Sequence, residues 1–110
     1  DTILSLIHEA RMQYLQSNGY KEMDIEGVGL IMADVAIEFK NELFYGDIVI
    51  ASVAAGEFSK VSFDLYYKLE KEVSRKKNLV AAAKTGMVCY NYERKKIVTI
   101  PEKARTKLAG

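Results

Sequence analysis

Cysteine is nearly missing from this chain of 110 residues: Cys89 is the only one. That excludes an internal disulfide and a cysteine metal cluster, and it fits a reducing, cytoplasmic setting. Histidine is equally scarce. His8 stands alone, with no Ser or Cys motif beside it, so a nucleophile–histidine triad has no obvious parts. One His, one Cys and scattered carboxylates give no metal-ligand spacing, and no glycine-rich phosphate loop is present. No cofactor is therefore expected. Charge of either sign is not in excess: 16 basic against 15 acidic residues leave a net charge of +1. This balance gives no reason to expect nucleic acid or an anionic membrane as a partner. No stretch approaches the roughly 20 apolar residues of a membrane-spanning helix. Repeats, low-complexity tracts and linkers are also missing, which leaves a single domain over 1–110.

What is present is one helix followed by a run of strands. Ile3, Leu4, Leu6, Ile7, Ala10, Tyr14 and Leu15 recur at helical spacing between residue 2 and about residue 17. Asp1 suits an N-cap, and Asn18-Gly19 is a stop signal. Residues 20–27 read as a loop with room for one helical turn. Strands are expected at 28–40, 47–57, 60–71, 78–92 and 96–100. In the first, Ile31, Ala33, Val35, Ile37 and Phe39 would share one face and Asp34, Glu38 and Lys40 the other. The second is apolar on both faces, and its Gly56 marks a candidate bulge. The third is the cleanest alternation, from Val61 to Leu69. In the fourth, Ala81-Ala82-Ala83 and Gly86 leave space for something to pack closely. Pro101 ends the last strand and opens a short helix over 102–108.

A helix without a partner helix must bury its apolar side against a sheet. The expected class is α+β: a strongly curved antiparallel sheet wrapped around one central helix. The start of that helix is where chemistry is expected, because its backbone N–H groups and partial positive charge can polarise a carbonyl. Strands with two apolar faces further predict a second copy of the chain, as a dimer or tetramer.

Four segments in order resemble the hotdog-fold thioesterases of the 4-hydroxybenzoyl-CoA thioesterase type. They are the helix around Glu9-Ala10-Arg11, the connection Phe44-Tyr45-Gly46-Asp47, the strand start Phe58-Ser59-Lys60-Val61-Ser62-Phe63, and the terminal Ile100-Pro101-Glu102. The resemblance implies a hotdog fold and hydrolysis of an acyl-CoA or acyl carrier protein thioester with a small or medium acyl group. It implies ligand sites between subunits of a homo-oligomer. It also places the family's N-terminal strand and catalytic Asp upstream of residue 1. Thioester hydrolysis needs a carboxylate to attack or to activate water, and donors to hold the developing oxyanion.

On this basis the candidate catalytic residues are Asp1, Thr2 and Glu9. Asp1 also reads as a plain helix cap, and Glu9 as a structural partner of Arg11 or of another subunit. Ser59, Lys60 and Ser62 match the strand start that borders the coenzyme A groove in the family. The basic runs Arg75-Lys76-Lys77 and Arg94-Lys95-Lys96 could grip phosphates or simply be solvated hairpin tips. Cys89 reads as a small buried apolar residue. An alternative function is a non-catalytic hotdog domain that binds acyl thioesters or serves as an assembly module. A hotdog dehydratase would need a His and a carboxylate facing one groove, and the position of His8 argues against it.

Overall fold

The computed structural model describes residues 2–110. The expected cap at Asp1 lies outside the described residues. The element order is α1 (Thr2–Ser17), β1 (Gly29–Phe39), β2 (Val49–Gly56), β3 (Ser62–Val73), β4 (Lys76–Asn91), β5 (Lys96–Ile97) and α2 (Glu102–Ala109). All pairings are antiparallel, in the order β1-β4-β3-β2. The short β5 pairs with Tyr90 and Asn91, just past the point where β3 begins opposite Val88. This is the α+β hotdog arrangement expected from the sequence, a curved antiparallel sheet with α1 on its inner face.

Period-two alternation builds that inner face. On β3, Phe63, Leu65, Tyr67 and Leu69 are buried; on β4, Ala81, Ala83, Thr85, Met87 and Cys89 are. From α1, Ile3, Ile7, Ala10 and Leu15 pack into the same core. Burying an aliphatic side chain of this size stabilises by roughly 1.5–3 kcal/mol, so three of them anchor the helix. The apolar stripe is narrower than the sequence pattern predicts, because Leu4 is exposed and Leu6 and Tyr14 are only half-buried.

Two bulges correct the expected facing of side chains. Met32 pairs with Met87 while Asp34 pairs with Gly86, so Ala33 has no partner and the alternation of β1 reverses. Leu30 and Met32 therefore share the inner face with Val35, Ile37 and Phe39, whereas Ile31 lies on the outer face opposite Val88. The second bulge falls between Leu69 and Glu70, where Val80 is skipped, and both Val80 and Ala81 are buried as a result. Gly56 is not a bulge: it pairs regularly with Asp64, and a Cβ there would meet the Tyr66 ring at 3.3 Å. Gly86 is the close approach expected on β4. Its N–H donates to Asp34 Oδ1 at 2.9 Å, in space a Cβ would occupy.

Residues 20–28 form no helical turn. Two isolated bridges, Lys21 with Asp24 and Ile25 with Val28, fold them instead. The β3–β4 connection is a two-residue turn. Ser74 and Arg75 both have positive φ, 52° and 66°, the backbone twist that a tight hairpin demands.

Candidate active site at the start of α1

A loop between β1 and β2 forms one side of the site, and its geometry follows from four residues. Asp47 N–H donates to Phe44 O at 3.0 Å, closing a turn with Tyr45 and Gly46 at its centre. Gly46 has φ 90°, which the third position of such a turn requires and a residue with Cβ resists. The Asp47 side chain folds back, accepting from Phe44 N–H at 2.8 Å and from Lys71 Nζ at 3.3 Å. Lys71 also donates to Glu42 O at 2.6 Å and sits 4.9 Å above the Phe44 ring. The hydrogen bond from Phe44 N–H is the largest effect and holds the Asp47 carboxyl below its ordinary pKa of 3.8; burial opposes it, and the Lys71 ammonium adds to the lowering. Lys71 on β3 thus ties the loop to the sheet.

Between this loop and α1 lies a cavity of about 660 Å³. Thr2, Ile3 and Leu6 line it from the first turns of the helix; Leu43, Phe44 and Val49 line it from the loop and β2; Phe39 lines it from the end of β1. The positive end of the α1 dipole is at its wall. A carbonyl placed beside Thr2 would meet partial positive charge, with apolar surface behind it.

The candidate residues named from sequence divide into three places. Thr2 lines the cavity, and Asp1 lies outside the described residues. Glu9 sits on the exposed side of α1, where it accepts from Gln13 Nε2 at 2.9 Å; it does not line the cavity. Its expected pairing with Arg11 is not formed. Arg11 is buried, with Nε 3.0 Å from Glu22 Oε2, Nη1 3.2 Å from Tyr67 Oη and Nη2 3.3 Å from His8 Nδ1.

Ser59, Lys60 and Ser62 are grouped at the other end of the β2–β3 hairpin. Ser59 Oγ accepts from Ser62 N–H at 3.0 Å and lies 2.7 Å from Ser62 Oγ. Lys60 O accepts from Ile100 N–H at 3.0 Å, and Arg105 donates to Ser59 O. β2 spans eight residues, so this turn lies roughly 26 Å from the Asp47 loop. One protomer therefore does not bring these residues to Thr2. The Arg75-Lys76-Lys77 tip is at the cavity end of the hairpin, while Arg94-Lys95-Lys96 is at the far end.

Phe39, Leu43 and Val49 were not legible as site residues, since only tertiary folding brings them to α1. The Phe44-Tyr45-Gly46-Asp47 motif was the available signal. Burial lifts the Cys89 thiol to about 11, which keeps it protonated at neutral pH. Among the described residues no group of three or more His, Cys, Asp or Glu side chains is placed to hold a metal. No helix there is long and apolar enough to cross a membrane.

Residues 1–108 match the thioesterase-like superfamily. The chain belongs to that superfamily. A protein of Aquifex aeolicus (strain VF5) named "Putative esterase" is 30% identical over 96 residues, covering 86% of this chain and 70% of that one. Two solved structures carry the same fold. A 1,4-dihydroxy-2-naphthoyl-CoA thioesterase from Synechocystis superposes with a TM-score of 0.81 at 23% identity, over 97% of this chain and 79% of its own. An Asp-to-Asn mutant of 4-hydroxybenzoyl-CoA thioesterase, complexed with 4-hydroxybenzoyl-CoA, gives 0.85 at 16% identity, over 97% and 82%. Membership in this superfamily supports thioester hydrolysis as the activity.

Proposed function

We propose that this protein hydrolyses acyl-CoA thioesters of a small or medium acyl group in the cavity at the start of α1. The observation that carries the proposal is the coincidence of this cavity with the positive end of the helix in a chain of the thioesterase-like superfamily. In the reaction a carboxylate takes a proton from water as its oxygen attacks the carbonyl carbon. The tetrahedral oxyanion forms beside the N-terminal turn of α1 at Thr2. The C–S bond then breaks, the carboxylic acid forms, and the thiolate leaves to be protonated.

The base in this scheme is a carboxylate on the N-terminal side of α1, with Asp1 and a segment preceding it as the positions to examine. Glu9 is the second candidate. Its outward direction suits a role toward a neighbouring subunit.

A homo-oligomer completes the proposal. β1 is an edge strand of 11 residues, and Ile31, Met32, Val35 and Phe39 on it are exposed. A long apolar edge is a template for pairing with another chain. A second copy would bring its Ser59, Lys60 and Ser62 within reach of a site that one copy cannot join them to, and there they would border coenzyme A. The single buried Cys89 is in keeping with a reducing, cytoplasmic location.

The test is thiol release by the full-length protein from acyl-CoA substrates of increasing chain length. Turnover that disappears in Thr2→Pro, with folding retained, supports the reading. Binding of acyl-CoA without turnover on any substrate would favour a non-catalytic acyl-thioester binder instead.

A further inference from the structure

The cavity wall differs in chemistry between its helix end and its far end. Ile3, Leu6, Leu43 and Val49 are buried or half-buried and form its deeper wall, and the Phe39 and Phe44 rings flank the rim. Several polar side-chain atoms of the loop are already engaged within the protein. Asn41 Nδ2 is committed to Leu79 O at 2.7 Å. Asp47 Oδ2 is taken by Phe44 N–H and Lys71. Lys71 is itself engaged by Asp47 and Glu42 O and lies over the Phe44 ring. Tyr45 lies fully exposed at the mouth, and Thr2 marks the helix end.

We propose that the acyl group taken by this cavity ends in an apolar, uncharged tail, and that Leu43 is a residue setting this specificity. The proposal rests on reading the cavity as the thioester site. A terminal carboxylate would lose its water without gaining a donor, beside the ionised Asp47. A terminal hydroxyl would gain nothing from the apolar deeper wall of Ile3, Leu6, Leu43 and Val49. Apolar walls of this kind discriminate by roughly 10–100-fold.

The experiment compares hexanoyl-CoA, 6-hydroxyhexanoyl-CoA and adipoyl-CoA, which differ only at the far end of the chain. Thiol release by the full-length protein is the first readout. Calorimetric binding of ketone analogues, with CH₂ in place of the thioester sulfur, is the second. We expect kcat/KM for hexanoyl-CoA to exceed that for adipoyl-CoA by at least about tenfold. Leu43→Lys should narrow or reverse this ratio by adding a cation to the wall. A gain on adipoyl-CoA cannot arise from misfolding. Equal rates on all three substrates would overturn the specificity while leaving hydrolysis intact. If no substrate turns over but the hexanoyl ketone binds at least about tenfold tighter than the adipoyl ketone, the specificity stands and the hydrolase reading falls. If neither analogue binds, both fall.

Discussion

Arg11 Nη1 donates to Tyr67 Oη at 3.2 Å within the core, and Tyr67 Oη in turn lies 2.7 Å from Thr85 Oγ1. One guanidinium thereby ties α1 to β3 and β4, and through Glu22 to the loop after α1. The helix whose first turn walls the cavity is held in place by this network. No buried side-chain polar atom among the described residues is left without a partner. Removing one member of such a network is costly because the others stay buried. Arg11→Met is expected to destabilise the fold by roughly 3 kcal/mol and Tyr67→Phe by about 1–2 kcal/mol. Urea unfolding of the two variants and of the double variant should show a double-variant loss smaller than the sum. Additive losses would mean that the two residues act separately.

Asp34 and Gly86 form a second linked pair. A Cβ on Gly86 would stand 2.5 Å from Asp34 Oδ1, so Gly86→Ala must displace the carboxylate and break its hydrogen bond. We expect a loss of roughly 2 kcal/mol in Gly86→Ala. Asp34→Ala in the same chain should restore part of it, because the clash is removed. Thermal melts of the three variants decide the point; no recovery in the double variant would rule out this cause.

The Asp47 latch carries a pH dependence whose sign is fixed by its lowered pKa. The folded pKa lies below the unfolded value of 3.8, so the contribution is present above 3.8 and fades as pH falls through the folded value. Asp47→Asn should therefore flatten the acid limb of stability below pH 3.8. Lys71→Met should free the 42–47 loop, raising KM for hexanoyl-CoA more than it lowers kcat. A stability–pH profile of Asp47→Asn that overlays the parent would remove the latch from the account.

Tyr20 gives the opposite sign at the alkaline end. Burial, and then the hydrogen bond and charge of Glu26, raise its pKa from 10.0 to about 12. Its Oη donates to Glu26 Oε2 at 2.6 Å. The stabilisation is complete below pH 10.0 and is lost as pH rises toward 12. Tyr20→Phe should be less stable than the parent at neutral pH, and the gap should close at high pH. A gap that stays constant through that range would contradict the assignment.

Helix α1, the run of antiparallel strands and α2 were legible because period 3.6 and period 2 dominate their segments. The Gly46 turn was legible through its motif. The reversal of facing in β1 was not, because a single unpaired residue at Ala33 shifts register without a local signature. Arg11 had a signal: it continues the four-residue spacing of Ile3, Ile7 and Leu15 on the buried side of α1. Its charge argues against burial unless partners are known, and Tyr67 and Thr85 are 56 and 74 residues away in sequence. The cavity was hidden for the same reason. Its helix wall was expected at Thr2, whereas Leu43 and Val49 come from a loop and an edge strand that only the fold brings there.

The most direct test of the account is turnover of hexanoyl-CoA by full-length Leu43→Trp, in which the larger ring intrudes into the cavity beside α1. The account predicts a fall in kcat/KM of at least about 100-fold with the melting temperature and oligomeric state kept. Unchanged turnover with the larger ring in the cavity would place the chemistry elsewhere on the molecule.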